Sequence, residues 1–272
     1  MDLNHFSVEK ISGHIYRIID ALEVACYLVT GEEKACLLDT CTGAGNLKEF
    51  VESVTDLPLT VVVSHGHMDY LCGAGRFEKV YMKKADMPIF EKHKSKEFRA
   101  EFFSDHLKMS LVPEDFYQVP EEVFEDLPEN TVLDLGGVTV ELLSFPGHTP
   151  GMVCPLIPED RTFIIGDACD DNVLLFDQYS STVSEYRDYL KAMKDRREQY
   201  DYILGNHGKY EFTMELIDNV LESCERVLAH EDAHLWVHII GEWMYSANAI
   251  GEDEMRLDGK PGNVLYSEEK VK

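Results

Sequence analysis

Apolar and polar positions along the chain follow two periods, and the switches between them mark out its elements. From Ile15 to Asp39, three short apolar runs (Ile15 to Ile19, Val24 to Thr30, Ala35 to Leu38) are separated by polar or Gly31-containing turns of hairpin length. This is the pattern of an antiparallel meander. Leu47, Phe50, Val51 and Val54 then recur at helical spacing, and Leu59 to Val63 returns as an apolar strand, so a strand, helix, strand unit is expected. A short strand follows at Lys79 to Lys83. Ala85 to about Leu111 is charged and helical in pattern, with Phe90, Phe98, Phe102 and Phe103 as an intermittent apolar face suited to packing.

Pro113, Pro120 and Pro128, set among acidic residues, predict an irregular or short-helical connection up to Asn130. Period two resumes at Thr131 to Leu135, turns on Gly136 and Gly137, and continues from Val138 to Leu143. Further strands are expected at Gly151 to Leu156, Thr162 to Ile165 and Tyr202 to Leu204, with helices at about Val183 to Arg197 and Met214 to Leu228. A meander passing into alternating strands and helices, repeated in two halves, predicts an α/β fold with two packed sheets and helices outside. Residues 1–272 read as a single domain, with a mostly helical insertion at about 85–130 and a C-terminal helix and tail at about 212–272.

With 272 residues, 44% of them hydrophobic, the chain can bury a sizeable core. Asp and Glu number 51 against 25 Lys and Arg, a formal charge of −26, and a surface so acidic repels phosphate backbones, which argues against nucleic acid as a partner. The seven cysteines are odd in number, widely spaced and free of any CxxC pair; they read as reduced thiols in a cytoplasmic protein. Met1 to Lys10 is polar where a signal peptide needs an apolar core, and no run approaches the length of a membrane span. A soluble protein acting on a small molecule is expected.

The candidate chemistry centres on Val61-Val62-Val63-Ser64-His65-Gly66-His67-Met68-Asp69-Tyr70. If the strand's alternation continues past Val63, His65 and His67 project to one side, with Asp69 a third donor there. Two imidazoles and a carboxylate suit a borderline divalent cation such as zinc. Three more donors stand beside glycine at the ends of apolar runs or in tight turns: His148 in Phe145-Pro146-Gly147-His148-Thr149-Pro150-Gly151, Asp167 after Ile164-Ile165-Gly166, and His207 after Tyr202-Ile203-Leu204-Gly205-Asn206. Strand ends of one sheet edge converge in space, so this shared grammar points to one site.

Taken together and in this order, these segments, with Leu37-Leu38-Asp39-Thr40 before them, resemble the metallo-β-lactamase-fold hydrolase superfamily, whose motif is HxHxDH followed by separate His, Asp and His positions. The resemblance covers nearly the whole chain and implies a four-layer αβ/βα sandwich of two mixed sheets. It implies a first metal site at His65, His67 and His148, a bridging carboxylate at Asp167, and second-site ligands at Asp69 and His207. Asp39 is expected to orient a ligand rather than bind metal. Tyr70 departs from the motif, standing where the family has a second-site histidine. Four outcomes are open: a phenolate ligand favouring iron or manganese, a weaker second zinc completed by water, a single-metal enzyme, or a tyrosine that only packs beside the site.

The implied activity is hydrolysis of a small ester-type substrate by a metal-bound hydroxide, with one or two Zn2+ ions and with Asp69 orienting the hydroxide or shuttling its proton. Thioester or related ester cleavage is favoured over lactone, phosphoester or lactam because an acidic surface disfavours polyanions. Two other readings compete. One is a non-catalytic metal- or small-molecule-binding protein on the same fold. The other is a zinc peptidase built on His230-Glu231-Asp232-Ala233-His234, which matches HExxH and on a helix would set both histidines on one face. In the tail, Trp236, Val237, Ile239, Ile240, Trp243 and Met244 suit packing on the body or a homodimer contact, with packing the default.

Overall fold

The computed structural model describes residues 2–272. Its first sheet runs in chain order through β1 (Ser7–Lys10), β2 (Ile15–Ile19), β3 (Ala25–Thr30), β4 (Ala35–Leu38), β5 (Leu59–Val62), β6 (Val80–Met82) and β7 (Phe124–Asp126). The first four strands are antiparallel neighbours and the last three are added in parallel. Helix α1 (Leu47–Val54) makes the crossover from β4 to β5, burying Leu47 and Val51. Asn46 caps it, its side chain accepting from the Glu49 amide at 3.4 Å. The second sheet has the order β14 (Glu211–Phe212), β13 (Tyr202–Leu204), β11 (Thr162–Ile164), β10 (Val153–Ile157), β9 (Thr139–Ser144), β8 (Val132–Asp134).

Strand β4 is buried on both faces, and its side chains show how the layers are built. Ala35 and Leu37 join Leu28, Val61 and Val63 in a core shared with α1, α3 (Met87–His93) and α4 (Lys96–Leu107). Cys36 and Leu38 point the other way, into a core with Val62, Val140, Leu142, Val153 and Ile164 that lies between the two sheets. Beyond the second sheet, Phe163 and Ile203 pack with α5 (Val183–Lys194) and α6 (Leu216–Ala229). The result is four layers, helix, sheet, sheet, helix, as the alternation of strands and helices predicts.

A third, four-stranded sheet was not expected. It has the order β12 (Val173–Leu175), β17 (Val264–Tyr266), β16 (Glu242–Ser246), β15 (Leu235–Ile239). Strand β12 pairs in parallel with β17, about ninety residues on, a non-local contact that no local periodicity announces. The hairpin from β15 to β16 turns on Ile240 and Gly241, both at positive φ (51° and 80°), a conformation usually signalled by Asn-Gly rather than by an isoleucine. Strand β7 also corrects the irregular connection expected before Asn130: Phe124–Asp126 pairs with β6, but three residues are too few to show a period.

Close backbone approach fixes the segment that follows β5. A Cβ on Gly73 would lie 2.0 Å from the Thr40 carbonyl oxygen. Thr40 in turn donates to the Tyr70 carbonyl oxygen from its amide at 2.6 Å and from its hydroxyl at 2.9 Å. Gly73→Ala is therefore expected to cost about 1–3 kcal/mol through overpacking, seen as a lower urea midpoint with an unchanged slope; an unaltered midpoint would show that the Thr40 segment can move away freely.

Candidate metal centre

Strand β5 ends at Val62, so strand alternation does not align His65 and His67 as expected. They lie in the loop beyond the strand, with His67 at the N-cap of a one-turn helix, α2 (Met68–Leu71), that carries Asp69 and Tyr70. Hydrogen bonds from outside shape this loop. The Asp39 carboxylate accepts from the Ser64 amide at 2.7 Å. Asp86, fully buried, accepts from the Gly66 amide at 2.9 Å, the Thr149 hydroxyl at 2.7 Å and the Gly151 amide at 2.6 Å. One carboxylate thus joins the loop of His65 and His67 to the turn that carries His148. Only glycine fits between the two histidines, because a Cβ on Gly66 would stand 2.8 Å from the Asp86 carbonyl oxygen.

The six expected donors fall into two sets that share one residue. Single donor atoms from His65, His67, His148 and Asp167 all lie within 4.8 Å of one another, and so do those of Asp69, Asp167 and His207. Asp167 Oδ2 is 3.7 Å from His65 Nε2 and 3.6 Å from His148 Nε2. Its Oδ1 is 3.9 Å from His207 Nε2, and that nitrogen lies 2.9 Å from Asp69 Oδ2. The two oxygens of Asp167 therefore face different sets, as a bridging carboxylate requires.

The first set fits a divalent cation on its own chemistry. His67 Nδ1 is 3.0 Å from His65 Nε2 and 2.9 Å from His148 Nε2. One N–H cannot satisfy two lone pairs, whereas a cation among them satisfies all three. His148 donates from Nδ1 to the Leu174 carbonyl oxygen at 3.0 Å, which fixes the ring with Nε2 toward the others. Burial lowers His65 to about 3 and holds His67 well below the ordinary imidazole value, so both are neutral and able to ligate.

The second set is charged differently. Burial opposes protonation of His207, yet its hydrogen bond to Asp69 and the charge of Asp167 carry it to about 9. Tyr70 is buried, and its hydroxyl donates to Asp167 Oδ1. Burial, and after it the charge of Asp167, hold the phenol well above its ordinary value, so in this arrangement Tyr70 is a hydrogen-bond donor and not a phenolate. Asp39 lies outside both donor sets; burial raises it to about 7, and its contact is with the backbone just before His65.

A model of the metallo-beta-lactamase superfamily matches residues 19–197. The chain belongs to that superfamily. Over 199 residues it is 25% identical to hydroxyacylglutathione hydrolase GloC of Haemophilus influenzae, spanning 71% of this chain and 89% of that protein. Over 175 residues it is 23% identical to acyl-coenzyme A thioesterase MBLAC2 of Gallus gallus, spanning 59% of this chain and 62% of that one. Among solved structures, a metallo-beta-lactamase from Pontibacter korlensis superposes with a TM-score of 0.58 at 16% identity, over 81% of this chain and 99% of the other, a likeness of fold. With this membership and a filled donor set, the chain is a metallohydrolase of the metallo-beta-lactamase superfamily.

The rival HExxH reading fails on backbone geometry. Helix α6 ends at Ala229, His230 caps it at φ 56°, and His234 sits at φ 48° just before β15. The two histidines share no helical face, and His234 bonds Tyr266 instead. Two residues of the centre were missed in the sequence. Asp86 stands 20 residues from Gly66 and 65 from Gly151, with no motif around it. His93, at the end of α3, stacks on His67 with centroids 5.1 Å apart and planes at 22°; a lone histidine in a charged helix carries no signal. Replacing His148 with Ala is expected to remove about one divalent metal ion per chain from protein purified without chelators, whereas replacing His230 and His234 together leaves the metal content unchanged. Elemental analysis reads both, and the reverse result would restore the peptidase assignment.

Proposed function

We propose that this metallohydrolase cleaves a small thioester or a related ester in the cytoplasm, using zinc held by His65, His67, His148 and Asp167, with a second ion at Asp69, Asp167 and His207. The observation that carries the reading is the division of Asp167 between two donor sets beside three converging imidazoles. A divalent ion there supplies Lewis acidity, lowering the pKa of a water toward about 7 and polarising the bond under attack. The chain's own residues do the rest. Asp69 Oδ2, 2.9 Å from His207 Nε2, is a carboxylate placed to hold a proton at the mouth of the site, where it is 22% exposed. With the second ion bound, His207 would give its Nε2 lone pair to that ion and so carry no proton there, leaving Asp69 as the proton holder. Tyr70 fixes the plane of the Asp167 carboxylate by donating to Oδ1.

The substrate class draws support from two relatives named for hydrolysis of an acylglutathione and an acyl-coenzyme A. The charge of −26 disfavours the phosphates of coenzyme A, so a smaller acyl thioester is the better fit. All seven cysteines are free and buried, which suits a reducing compartment. Among the described residues, no helix is long and apolar enough to cross a membrane.

Zinc-loaded protein offered a panel of small acyl thioesters, aryl esters, lactones, phosphodiesters and lactams is expected to cleave the thioesters with the highest kcat/KM. A chelator should abolish this and zinc restore it; turnover of none of the panel would leave binding without catalysis as the function. Tyr70→Phe is expected to keep the metal content while kcat/KM falls by about 10-fold, the size of one hydrogen bond to a charged group. Loss of an ion in Tyr70→Phe would instead make the phenol a ligand.

A further inference from the structure

The three sheets end in six edge strands, and five of these are guarded against pairing with another chain. Strand β1 carries Glu9 and Lys10, β7 carries Glu125 and Asp126, β8 carries Asp134, and β14 carries Glu211. Charge on an edge is the usual defence against strand addition. Strand β12 has no charge but is covered: Val173 and Leu175 are buried, and the Leu174 carbonyl oxygen is taken by His148.

Strand β15 has neither defence. Its sequence Leu235-Trp236-Val237-His238-Ile239 holds no Asp, Glu, Lys or Arg, and it is the outer strand of its sheet. Leu235 is 41% exposed, Trp236 55%, and Trp243 on the neighbouring strand 56%. The two indoles stack at 5.7 Å with planes 12° apart, and Tyr245 packs against Trp236 at 4.6 Å. The chain has two tryptophans in all, and both stand on this outward face. The hairpin itself is firmly seated, because Val237, Ile239 and Met244 on its inner face pack with Leu265 and Ile250. Its neutrality extends further: from Ala233 to Ile250, Glu242 is the single formally charged residue in a chain of net charge −26.

We propose that β15 is the pairing edge of a homodimer, in which two copies join antiparallel and continue the four-stranded sheet across a two-fold axis. A strand paired antiparallel with its own copy is self-complementary, as an isologous contact demands. Two strongly acidic bodies repel wherever charge meets charge, so contact is favoured at the hairpin, where Glu242 is the single formal charge. A basic partner would be drawn to the acidic surface instead of to this exposed hairpin with its single formal charge. Trp236 and Trp243 of each copy then lose water against the other.

Light scattering is expected to give a mass near twice the 31.1 kDa of one chain at high micromolar concentration, falling toward 31.1 kDa on dilution. Because both indoles lie on this face, tryptophan emission should move to longer wavelength along the same dilution curve. Added salt should strengthen the dimer by screening repulsion. Trp236→Glu, at an exposed position, should give single-chain mass at every concentration with unchanged metal content and circular dichroism. Val132→Glu, on the edge strand β8, should leave the dimer intact. A single-chain mass throughout, or a dimer indifferent to Trp236→Glu with emission unaffected by dilution, overturns the proposal.

Discussion

Two backbone hydrogen bonds cross between the sheets beside the site, and they anchor the segments that carry His65 and His207. The Val153 amide in β10 donates to the Ser64 carbonyl oxygen at 3.0 Å, and the Ala25 amide in β3 donates to the Asn206 carbonyl oxygen at 2.9 Å. Ser64 precedes His65 and Asn206 precedes His207, so a ligand loop from each sheet is clamped to a strand of the other. The Asn206 side chain returns a second bond, to the Ala25 carbonyl oxygen at 2.7 Å. Each bond contributes only about 1 kcal/mol net. Their larger effect is geometric, because the doubly buried strands behind them leave the sheets no room to slide.

Within that frame, burial and charge divide the centre into two unlike halves. His65 and His67 sit in low-dielectric surroundings and stay neutral, the state in which an imidazole offers a lone pair. His207, between Asp69 and Asp167, is drawn toward the charged state. Asp167 touches both halves, and the phenol of Tyr70 holds it in place. A histidine in place of Tyr70 would add a neutral nitrogen donor; the tyrosine adds a proton donor, and the second half leans on carboxylates.

The surface obeys the same electrostatic logic on a larger scale. A charge of −26 repels polyanions and other acidic surfaces, and charged side chains guard four of the sheet edges. The hairpin of β15 and β16 stands apart because Glu242 is its single formal charge while its inner face sits in the core. Exposed tryptophans on a rigid, neutral edge are an opening in an otherwise repulsive surface.

How much of this was legible depended on how local the governing interaction is. Strands β2 to β5 and β9 to β11 show in the sequence because each apolar run reports its own burial. The donors His65, His67, His148, Asp167 and His207 show because each is in a tight turn or at the end of an apolar run, beside glycine. His65 and His67 are aligned by the loop rather than by strand alternation, since β5 stops at Val62. Asp86, the stacking of His93 on His67 and the third sheet were invisible, because each depends on residues far apart in the chain with no shared pattern. The sequence by itself determined the layered α/β architecture and the choice of candidate donors, since hydrophobic period and donor chemistry are properties of neighbouring residues. Only the tertiary structure decided that Asp167 divides between two donor sets, that Tyr70 donates to it, and that β15 is left open, because these follow from which distant segments the inter-sheet core brings together.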